Sequence, residues 1–284
     1  MATILETMFS QRPNVSINEV TCTSLLHRLN FRYFSEYTAN LYRGCTHACD
    51  YCYAPSLIHD ERAWGKYVDA KINAPDVLRK EIRHAKIDTV FLSSASDPYQ
   101  PVEARYKLTR KCLEALLEHQ FPVLILTRSP LVLRDVDIIE KFSWIRVGFS
   151  ISSVSDRFHE PGVVPIEKRL EAMSKLKDHG IATWVSLAPV IPGVPMIDLE
   201  RLFQRMKEIG VSAVSTGLLR FNGYAESKKM FEERARMSAS DAVRGGIEIM
   251  EKIHELAATY EVDDSDSLLS WRSADNDGRL DSYG

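Results

Sequence analysis

Residues 43–55 read Arg43-Gly44-Cys45-Thr46-His47-Ala48-Cys49-Asp50-Tyr51-Cys52-Tyr53-Ala54-Pro55 and carry the strongest chemical signal in the chain. Three of the five cysteines fall here, in the spacing C-x3-C-x2-C. Thiolates placed so closely on a short loop can reach one soft metal centre, whereas scattered cysteines usually cannot. The other two, Cys22 and Cys112, leave an odd total that does not fit a disulfide framework. The stretch therefore predicts a metal centre.

The size of the cysteine set leaves three interpretations open. A structural zinc site needs four ligands, and only His47 or His59 lies near enough in sequence to complete one. Iron–sulfur clusters more often take four cysteines. With three, one iron of a four-iron cluster would keep an open coordination position, as catalytic metals do. From the residues alone, a catalytic cluster, a zinc site and three packed cysteines without metal all stay open.

The composition is that of a folded globular chain. Of 284 residues, 45% are hydrophobic and 26% charged, which suffices to bury a core and excludes a disordered or fibrous protein. No run approaches the roughly 18 apolar residues of a membrane span, so we expect no membrane partner. The first residues lack a basic segment followed by an apolar one, which predicts a cytoplasmic protein. A net charge of −3 gives no overall signature of nucleic-acid binding.

Short β-type runs alternate with helical patterns from about residue 38, which is typical of a parallel α/β fold. The predicted strands are 38–43, 88–94, 122–127, 144–151, 181–187 and 211–216. The predicted helices between them are 75–85, 105–119, 131–141, 166–179 and 198–209. This order predicts an open six-stranded parallel partial (β/α) barrel, with the carboxyl ends of all strands on one face.

The sequence predicts one catalytic domain with appendages. Residues 1–37 are expected to form an irregular N-terminal extension, and 38–217 the barrel core. Helices near 226–237 and 241–259 would form a C-terminal helical region over 218–261 that covers the barrel or its open edge. Residues 262–284 hold six aspartates against two arginines and few apolar side chains, which predicts an acidic flexible tail.

Polar side chains follow the apolar part of three predicted strands, at 93–101, 127–129 and 150–153. Such groups can supply the hydrogen bonds and charges that hold a polar cofactor above a barrel. Taken singly, each serine is more simply a loop or cap residue that satisfies backbone groups. Their recurrence at three strand ends beside the cysteine loop favours a binding site.

The cysteine spacing and its flanks resemble the radical S-adenosylmethionine superfamily, in particular its spore photoproduct lyase-like (DNA repair photolyase-like) branch. The matching segments are 42–55, 96–103 (SDPYQPVE), 127–135 (TRSPLVLRD), Glu160-Pro161 with Arg169, and 188–193 (APVIPG). The resemblance implies the partial barrel, with a 4Fe-4S cluster on Cys45, Cys49 and Cys52. It also implies that S-adenosylmethionine chelates the fourth iron and is cleaved, by an electron from the reduced cluster, to a 5′-deoxyadenosyl radical.

The same resemblance implies eight contacts to S-adenosylmethionine: Tyr51, Tyr53, Ser96, Asp97, Arg128, Ser150, Ser152 and Val190. Tyr51, before the third cysteine, and the segment around Val190 would lie near the adenine. Asp97 stands where the cofactor's amino group is usually bound, and Ser150 or Ser152 where the ribose or carboxylate is met. Arg128 replaces a lysine of the family pattern. Its guanidinium can make two parallel bonds to the cofactor's carboxylate.

One departure from the family pattern concerns the hydrogen-atom donor. Spore photoproduct lyases carry a cysteine near the end of the second strand, where residues 93–96 here read Ser-Ser-Ala-Ser. A serine O–H is a much poorer hydrogen-atom donor than a thiol, which argues against photoproduct repair by that route. The candidate catalytic residues are Tyr99, as a radical relay, and Cys22, on the N-terminal segment. Cys112, in a predicted helix, is expected to pack as a small hydrophobic residue.

The resemblance predicts a radical enzyme that abstracts a hydrogen atom, with a nucleobase or nucleotide in DNA or RNA as the first candidate substrate. Its partner would be a reducing electron donor of the flavodoxin or ferredoxin type. Residues 27–34 mix basic and aromatic side chains that can bind single strands, although packing against the barrel is the simpler interpretation. Residues 59–66 could line a substrate entrance or form a solvated surface. A small metabolite or peptide substrate, an iron–sulfur electron carrier, and a zinc or nucleic-acid-binding module stay open.

Overall fold

The computed structural model describes residues 15–29, 35–151, 160, 162–193, 196–211, 213–221 and 223–264. Its strands are β1 (Ser16–Val20), β2 (Leu26–Arg28), β3 (Tyr37–Ala39), β4 (Tyr42–Arg43), β5 (Tyr67–Lys71), β6 (Val90–Leu92), β7 (Val123–Thr127), β8 (Ile145–Ser150), β9 (Ala182–Val190) and β10 (Ala213–Leu218). Its α-helices are α1 (Ala54–Ile58), α2 (Ala74–Ile82), α3 (Glu103–Tyr106), α4 (Leu108–Glu118), α5 (Val136–Ile139), α6 (Ile166–Asp178), α7 (Met196–Ile209), α8 (Ala225–Ala235) and α9 (Ala239–Tyr260). A 3-10 helix spans Pro130–Asp135. None of these helices is long and apolar enough to cross a membrane.

The main sheet has the strand order β10-β9-β8-β7-β6-β3-β2. Strand β3 and strands β6 to β10 run parallel to one another, and β2 adds an antiparallel edge strand. The predicted open, six-stranded parallel α/β arrangement is therefore confirmed within the described residues. Because the six strands are parallel, their carboxyl ends meet at one edge of the sheet, where the polar segments 93–101 and 127–129 begin.

The chain before the barrel differs from the prediction of an irregular segment, because 16–20 and 26–28 are strands. β1 pairs with β5, and β5 with β4, in a second sheet. The predicted strand 38–43 is therefore split, with 37–39 in the barrel and 42–43 in this small sheet. Most residues of β1 are exposed and do not alternate in polarity, so the period-two signal of a strand is missing. The boundary at residue 37 stays a prediction.

Two apolar layers hold the strands. Between the sheet and the helices lie completely buried side chains such as Leu78, Leu113, Val123 and Phe203. In a separate group on the strands, Trp184 packs with Leu124 and Ala213. Gly148 on β8 makes room for it, because a Cβ at that position would lie 2.3 Å from the Trp184 indole. Burying each large apolar side chain contributes roughly 1.5–3 kcal/mol to the free energy of folding. This packing therefore fixes the positions of the strand ends.

The two C-terminal helices lie where the sequence predicts them, and α9 packs on the end of β9. Ser238 is the N-cap residue of α9, and its hydroxyl accepts a hydrogen bond from Asp241 N. Gly246 allows the close approach, since a Cβ there would lie 2.8 Å from Val190 O. The helix thus reaches the face of the sheet on which the strand ends meet. Most of the predicted acidic tail, 265–284, lies outside the described residues.

Candidate functional site

The cysteine loop, residues 44–53, follows β4 and leads into α1. Gly44 turns the chain into the loop with a φ of +86°, and a Cβ there would lie 2.4 Å from Tyr67 O. Gly65 approaches the middle of the loop so closely that a Cβ would lie 2.3 Å from that of Ala48. The segment 64–67 is therefore the support on which the cysteine loop rests, and glycine at both positions permits the contact.

The three predicted metal ligands are free thiols in an apolar enclosure. Cys45 and Cys49 are buried and Cys52 is half-buried. The apolar side chains grouped with them are Ala54, Trp64, Ile191, Leu219, Met230 and Phe231. Burial raises the pKa of each thiol to about 12, so the thiols are protonated at neutral pH until a metal displaces the protons. A water-poor shell around soft sulfur donors is the environment in which protein iron–sulfur clusters are held.

His47 is not placed to complete a zinc site. Its Nδ1 lies 2.8 Å from Gly162 O and its Nε2 3.1 Å from Asp97 Oδ2, so both ring nitrogens face protein oxygens. His59 is exposed at the end of α1. Within the described ranges, no three cysteine, histidine or acidic side chains are arranged around a single metal ion. The donor set fits a cluster, in which each thiolate binds a different iron, better than it fits one zinc ion.

Gln100, from the segment after β6, holds the cysteine loop from the barrel side. It is completely buried. Its side-chain oxygen accepts a hydrogen bond from Thr46 N at 3.1 Å, and its amide nitrogen donates to Gly44 O at 3.1 Å. These bonds satisfy a backbone donor and a backbone acceptor of the buried loop. The loop is thereby fixed to the barrel by protein contacts.

The buried Asp97 carboxylate joins the ends of β6 and β7 to the cysteine loop. It accepts hydrogen bonds from Thr127 Oγ1 at 2.7 Å, Arg128 N at 2.8 Å and Tyr99 N at 2.8 Å. Burial opposes its ionisation, but His47 and these donors lower its pKa, so the group is a carboxylate. Both oxygens therefore have protein partners in this structure. Its bond to a cofactor amino group stays a prediction.

A buried group of charges connects the cysteine loop with β7, β8 and α6. Tyr51 donates a hydrogen bond to Glu160. Arg128 donates to the same carboxylate through Nε at 3.0 Å and to the Tyr51 hydroxyl through Nη2 at 3.2 Å. Arg169 donates to the other Glu160 oxygen at 2.7 Å and to Ser150 O at 2.7 Å. Two guanidiniums thus share one carboxylate, which leaves this part of the site with one excess positive charge.

The ionisation of this group follows from its contacts. Burial alone would raise the pKa of Glu160, but Arg128 and Arg169 hold it at about 2. Burial raises the pKa of Tyr51 well above its ordinary value, so its phenol keeps the proton that it donates to Glu160. At neutral pH the carboxylate is therefore charged, and Tyr51 is held in one orientation next to Cys49 in the loop.

Helix α8 covers the cysteine loop. Phe231 is completely buried in the apolar group that contains Cys49. Ser227 accepts a hydrogen bond from Ser56 Oγ on α1 at 2.9 Å and donates its backbone N–H to the same oxygen at 2.9 Å. Arg234 pairs with Asp50 in the loop at 3.2 Å. These contacts keep water from one side of the cysteines.

Two further predicted cofactor contacts lie around the loop. Tyr53 is 41% exposed, which makes it the most accessible of the predicted contacts among the described residues. Its hydroxyl donates to Ser94 O, and its ring lies 6.1 Å from that of Tyr224. Ser96 Oγ donates to Tyr42 O at 3.4 Å. Tyr53 therefore borders the open part of the site, whereas Ser96 is turned toward the backbone before the loop.

Val190 and Ser150 are buried at the ends of β9 and β8, and Ser152 lies outside the described residues. Tyr99 is completely buried, and burial together with Asp135 and Glu103 raises its pKa well above the ordinary value. Cys22, half-buried after β1, donates its backbone N–H to Asn73 Oδ1 at 2.9 Å. A catalytic role for either residue stays a prediction.

Sequence reasoning missed several residues of this site. Glu160 and Arg169 stand in the family-like segments, but the contact of Glu160 with Tyr51 joins residues 109 apart in the chain, which no local pattern reveals. Arg169 reaches the site through Glu160. The same is true of Ser227, which is 171 residues from Ser56. Gln100 lies within segment 96–103, which resembles the family pattern, and this resemblance could have indicated Gln100 as a site residue.

Comparisons with known proteins identify the family. A family model described as the Radical SAM superfamily matches residues 39–218, more than half of the chain. An uncharacterised protein of Methanocaldococcus jannaschii is 36% identical over 61% of this chain and 66% of its own length, just under two thirds of that relative. A radical SAM Nα-GlyT isomerase of Pseudomonas phage M6 is 26% identical over 66% of this chain and 40% of its own length.

The fold also matches a solved structure. It is a spore photoproduct lyase mutant with bound AdoMet and dinucleoside spore photoproduct, with a TM-score of 0.69 at 18% identity. The match covers 90% of this chain and 82% of that one. At this identity, the likeness shows a shared fold.

Proposed function

Because the chain belongs to the Radical SAM superfamily, we propose that Cys45, Cys49 and Cys52 bind a 4Fe-4S cluster and that S-adenosylmethionine occupies its fourth iron. The observation that carries this proposal is the set of three free, enclosed thiols on a loop anchored to the carboxyl edge of six parallel strands. When bound, the pair supplies a 5′-deoxyadenosyl radical, and the protein supplies orientation and exclusion of water.

The residues around the loop account for the protein's share, which is to orient the cofactor and to exclude water. The Arg128 and Arg169 guanidiniums, sharing Glu160, give the site the excess positive charge that attracts the carboxylate of an amino acid. Tyr51, fixed by Glu160, offers an aromatic face at a fixed place beside the loop. Helix α8 shields the cysteines from water, which slows the loss of a reactive intermediate to solvent.

For the substrate we propose a nucleobase or nucleotide in DNA or RNA. Support comes from the dinucleoside bound to the spore photoproduct lyase of similar fold, and from the exposed Tyr53 ring, on which a base can stack. Segment 93–96 contains no cysteine to return a hydrogen atom, so we propose a modification other than photoproduct repair. The electron would come from a flavodoxin- or ferredoxin-type protein.

The cysteine set is tested by a pair of variants. Cys49→Ala should lose the iron, the sulfide and the visible absorbance of the anaerobically reconstituted protein, and should release no 5′-deoxyadenosine with dithionite and S-adenosylmethionine. Cys112→Ala is the matched control, because Cys112 is also a buried free thiol but lies on α4. Retained cofactor cleavage by Cys49→Ala, or tightly held zinc without iron in the wild type, would overturn the proposal.

The substrate class is tested with deuterated candidates. Wild-type protein is incubated anaerobically with deuterated oligonucleotides, nucleosides or peptides, and deuterium is sought in the released 5′-deoxyadenosine. Transfer from an oligonucleotide alone supports the proposed class, and transfer from a peptide or small metabolite alone refutes it. An iron–sulfur electron carrier would release no 5′-deoxyadenosine with any of them.

A further inference from the structure

Trp64 has a buried hydrogen-bond donor that the fold leaves without an acceptor. Its side chain is 7% exposed. The indole Nε1 has less than 1 Å² of accessible surface and no hydrogen-bond partner among the described residues. An indole N–H can only donate, and leaving a buried donor unpaired is unfavourable, so such groups are rare in folded proteins.

The position of Trp64 relates this donor to the cysteine loop. Its side chain belongs to the same apolar group as Cys45, Cys52 and Ala54. The next residue, Gly65, brings the backbone so close to Ala48 that a Cβ would lie 2.3 Å away. The indole therefore lies beside the loop, in the apolar group that also contains the side chains of two predicted ligands.

Cys45 and Cys52, in the same apolar group, offer sulfur as the acceptor for this donor. Cysteine sulfur becomes a good acceptor when it is a thiolate bound to iron, and the inorganic sulfides of a cluster accept hydrogen bonds as well. Hydrogen bonds to cluster sulfurs are among the factors that set reduction potentials. His47 Nε2 is also buried without a hydrogen bond, but it lies 3.1 Å from the Asp97 carboxylate, with which it can pair.

We infer that the Trp64 indole N–H donates a hydrogen bond to a sulfur of the cluster site and thereby raises the reduction potential of the cluster. The inference rests on the proposed function, since it requires a cluster on Cys45, Cys49 and Cys52. A donor stabilises the reduced, more negative cluster more than the oxidised one. Trp64 thus acts on the reduction potential of the cluster, and this role needs no contact with substrate.

Removal of the N–H tests this inference. Trp64→Phe keeps an aromatic ring in the apolar group, and Trp144→Phe is the matched control, because Trp144 lies in the separate group around Trp184. Both variants are reconstituted anaerobically, and the midpoint potential is measured by a redox titration followed by electron paramagnetic resonance. We expect Trp64→Phe to shift the reduction equilibrium about tenfold toward the oxidised cluster, or about 59 mV for one electron. Trp144→Phe should leave it unchanged.

A second measurement starts from the wild type, in which an absent coupling already decides against the inference. Wild-type protein carrying tryptophan labelled with ¹⁵N in the indole is reduced, and ¹⁵N coupling to the cluster spin is measured by pulsed resonance. Coupling that disappears in Trp64→Phe but persists in Trp144→Phe supports the inference. An absent coupling in the wild type, a coupling that survives Trp64→Phe, or equal potentials would overturn it. If the wild type assembles no four-iron cluster, the proposed function itself fails, which distinguishes the two results.

Discussion

Replacing Glu160 by Gln removes the one negative charge that Arg128 and Arg169 share, while keeping the size of the side chain. The carboxylate exposes only 12% of its surface, so solvent screening is small. In the folded chain its pKa is held at about 2, against an ordinary value of 4.5. At about 1.4 kcal/mol per pKa unit, this difference corresponds to a stabilisation of about 3 kcal/mol at pH 7.

The sign of the pH dependence follows from the lowered pKa. A carboxylate with a depressed folded-state pKa stabilises the fold fully above the unfolded value of 4.5 and loses this contribution as the pH falls through about 2. The difference in unfolding free energy between wild type and Glu160→Gln should therefore be about 3 kcal/mol at pH 7 and about 1.5 kcal/mol at pH 3. The groups that face this carboxylate are Tyr51, Arg128 and Arg169.

Urea unfolding of the full chain at pH 7, 5, 4 and 3, followed by circular dichroism, measures this difference. Glu171→Gln is the matched control, because Glu171 pairs with Lys168 on the exposed side of α6 and should leave the unfolding midpoint unchanged. The reasoning is refuted if both variants shift the midpoint equally, or if the effect of Glu160→Gln is the same at pH 3 as at pH 7.

Two further substitutions test the contacts of the C-terminal helices. Gly246→Ala should lower the free energy of unfolding by about 1–2 kcal/mol, because crowding against Val190 O outweighs the gain in helix propensity. Gly217→Ala, whose Cβ would lie 3.5 Å from the nearest atom outside its chain neighbours, should cost less in the same urea titration. Ser227→Ala leaves the Ser56 hydroxyl and N–H without an acceptor and should cost about 1–3 kcal/mol. Amide hydrogen exchange in residues 54–58 should be faster in Ser227→Ala than in the wild type. The control is Ser240→Ala, an exposed position at which the exchange rates should stay as in the wild type. Equal exchange rates in both variants would contradict the contact.

The parallel core could be predicted from the sequence because its strands are buried and apolar and its helices have amphipathic periodicity. Strands such as 123–127 and helices such as 166–178 follow these rules closely. The small sheet could not be predicted, since β4 has two residues and β1 is mostly exposed. Short or exposed strands gain their stability from pairing with distant segments, and a local pattern does not contain that information.

The candidate site divides in the same way. The three cysteines could be recognised from their spacing, because thiolates on one short loop can reach one metal centre. Arg128 was predicted as a partner of a cofactor carboxylate, whereas in the structure it already binds the carboxylate of Glu160. Contacts of this kind depend on which strand ends become neighbours, and they follow only from the complete sheet order.

The cysteine loop and helix α8, which covers it, are far apart in the chain, and this separation bears on when iron can be inserted. Ser56, just after the cysteines, and Ser227, on the covering helix, are 171 residues apart. At a synthesis rate of about 5–20 residues per second, the loop leaves the ribosome about 10 to 30 seconds before α8 does. During that interval the thiols are open to any delivery protein. In the folded chain α8 covers one side of the cysteines, so a chain that is loaded after its release has a narrower approach to the thiols.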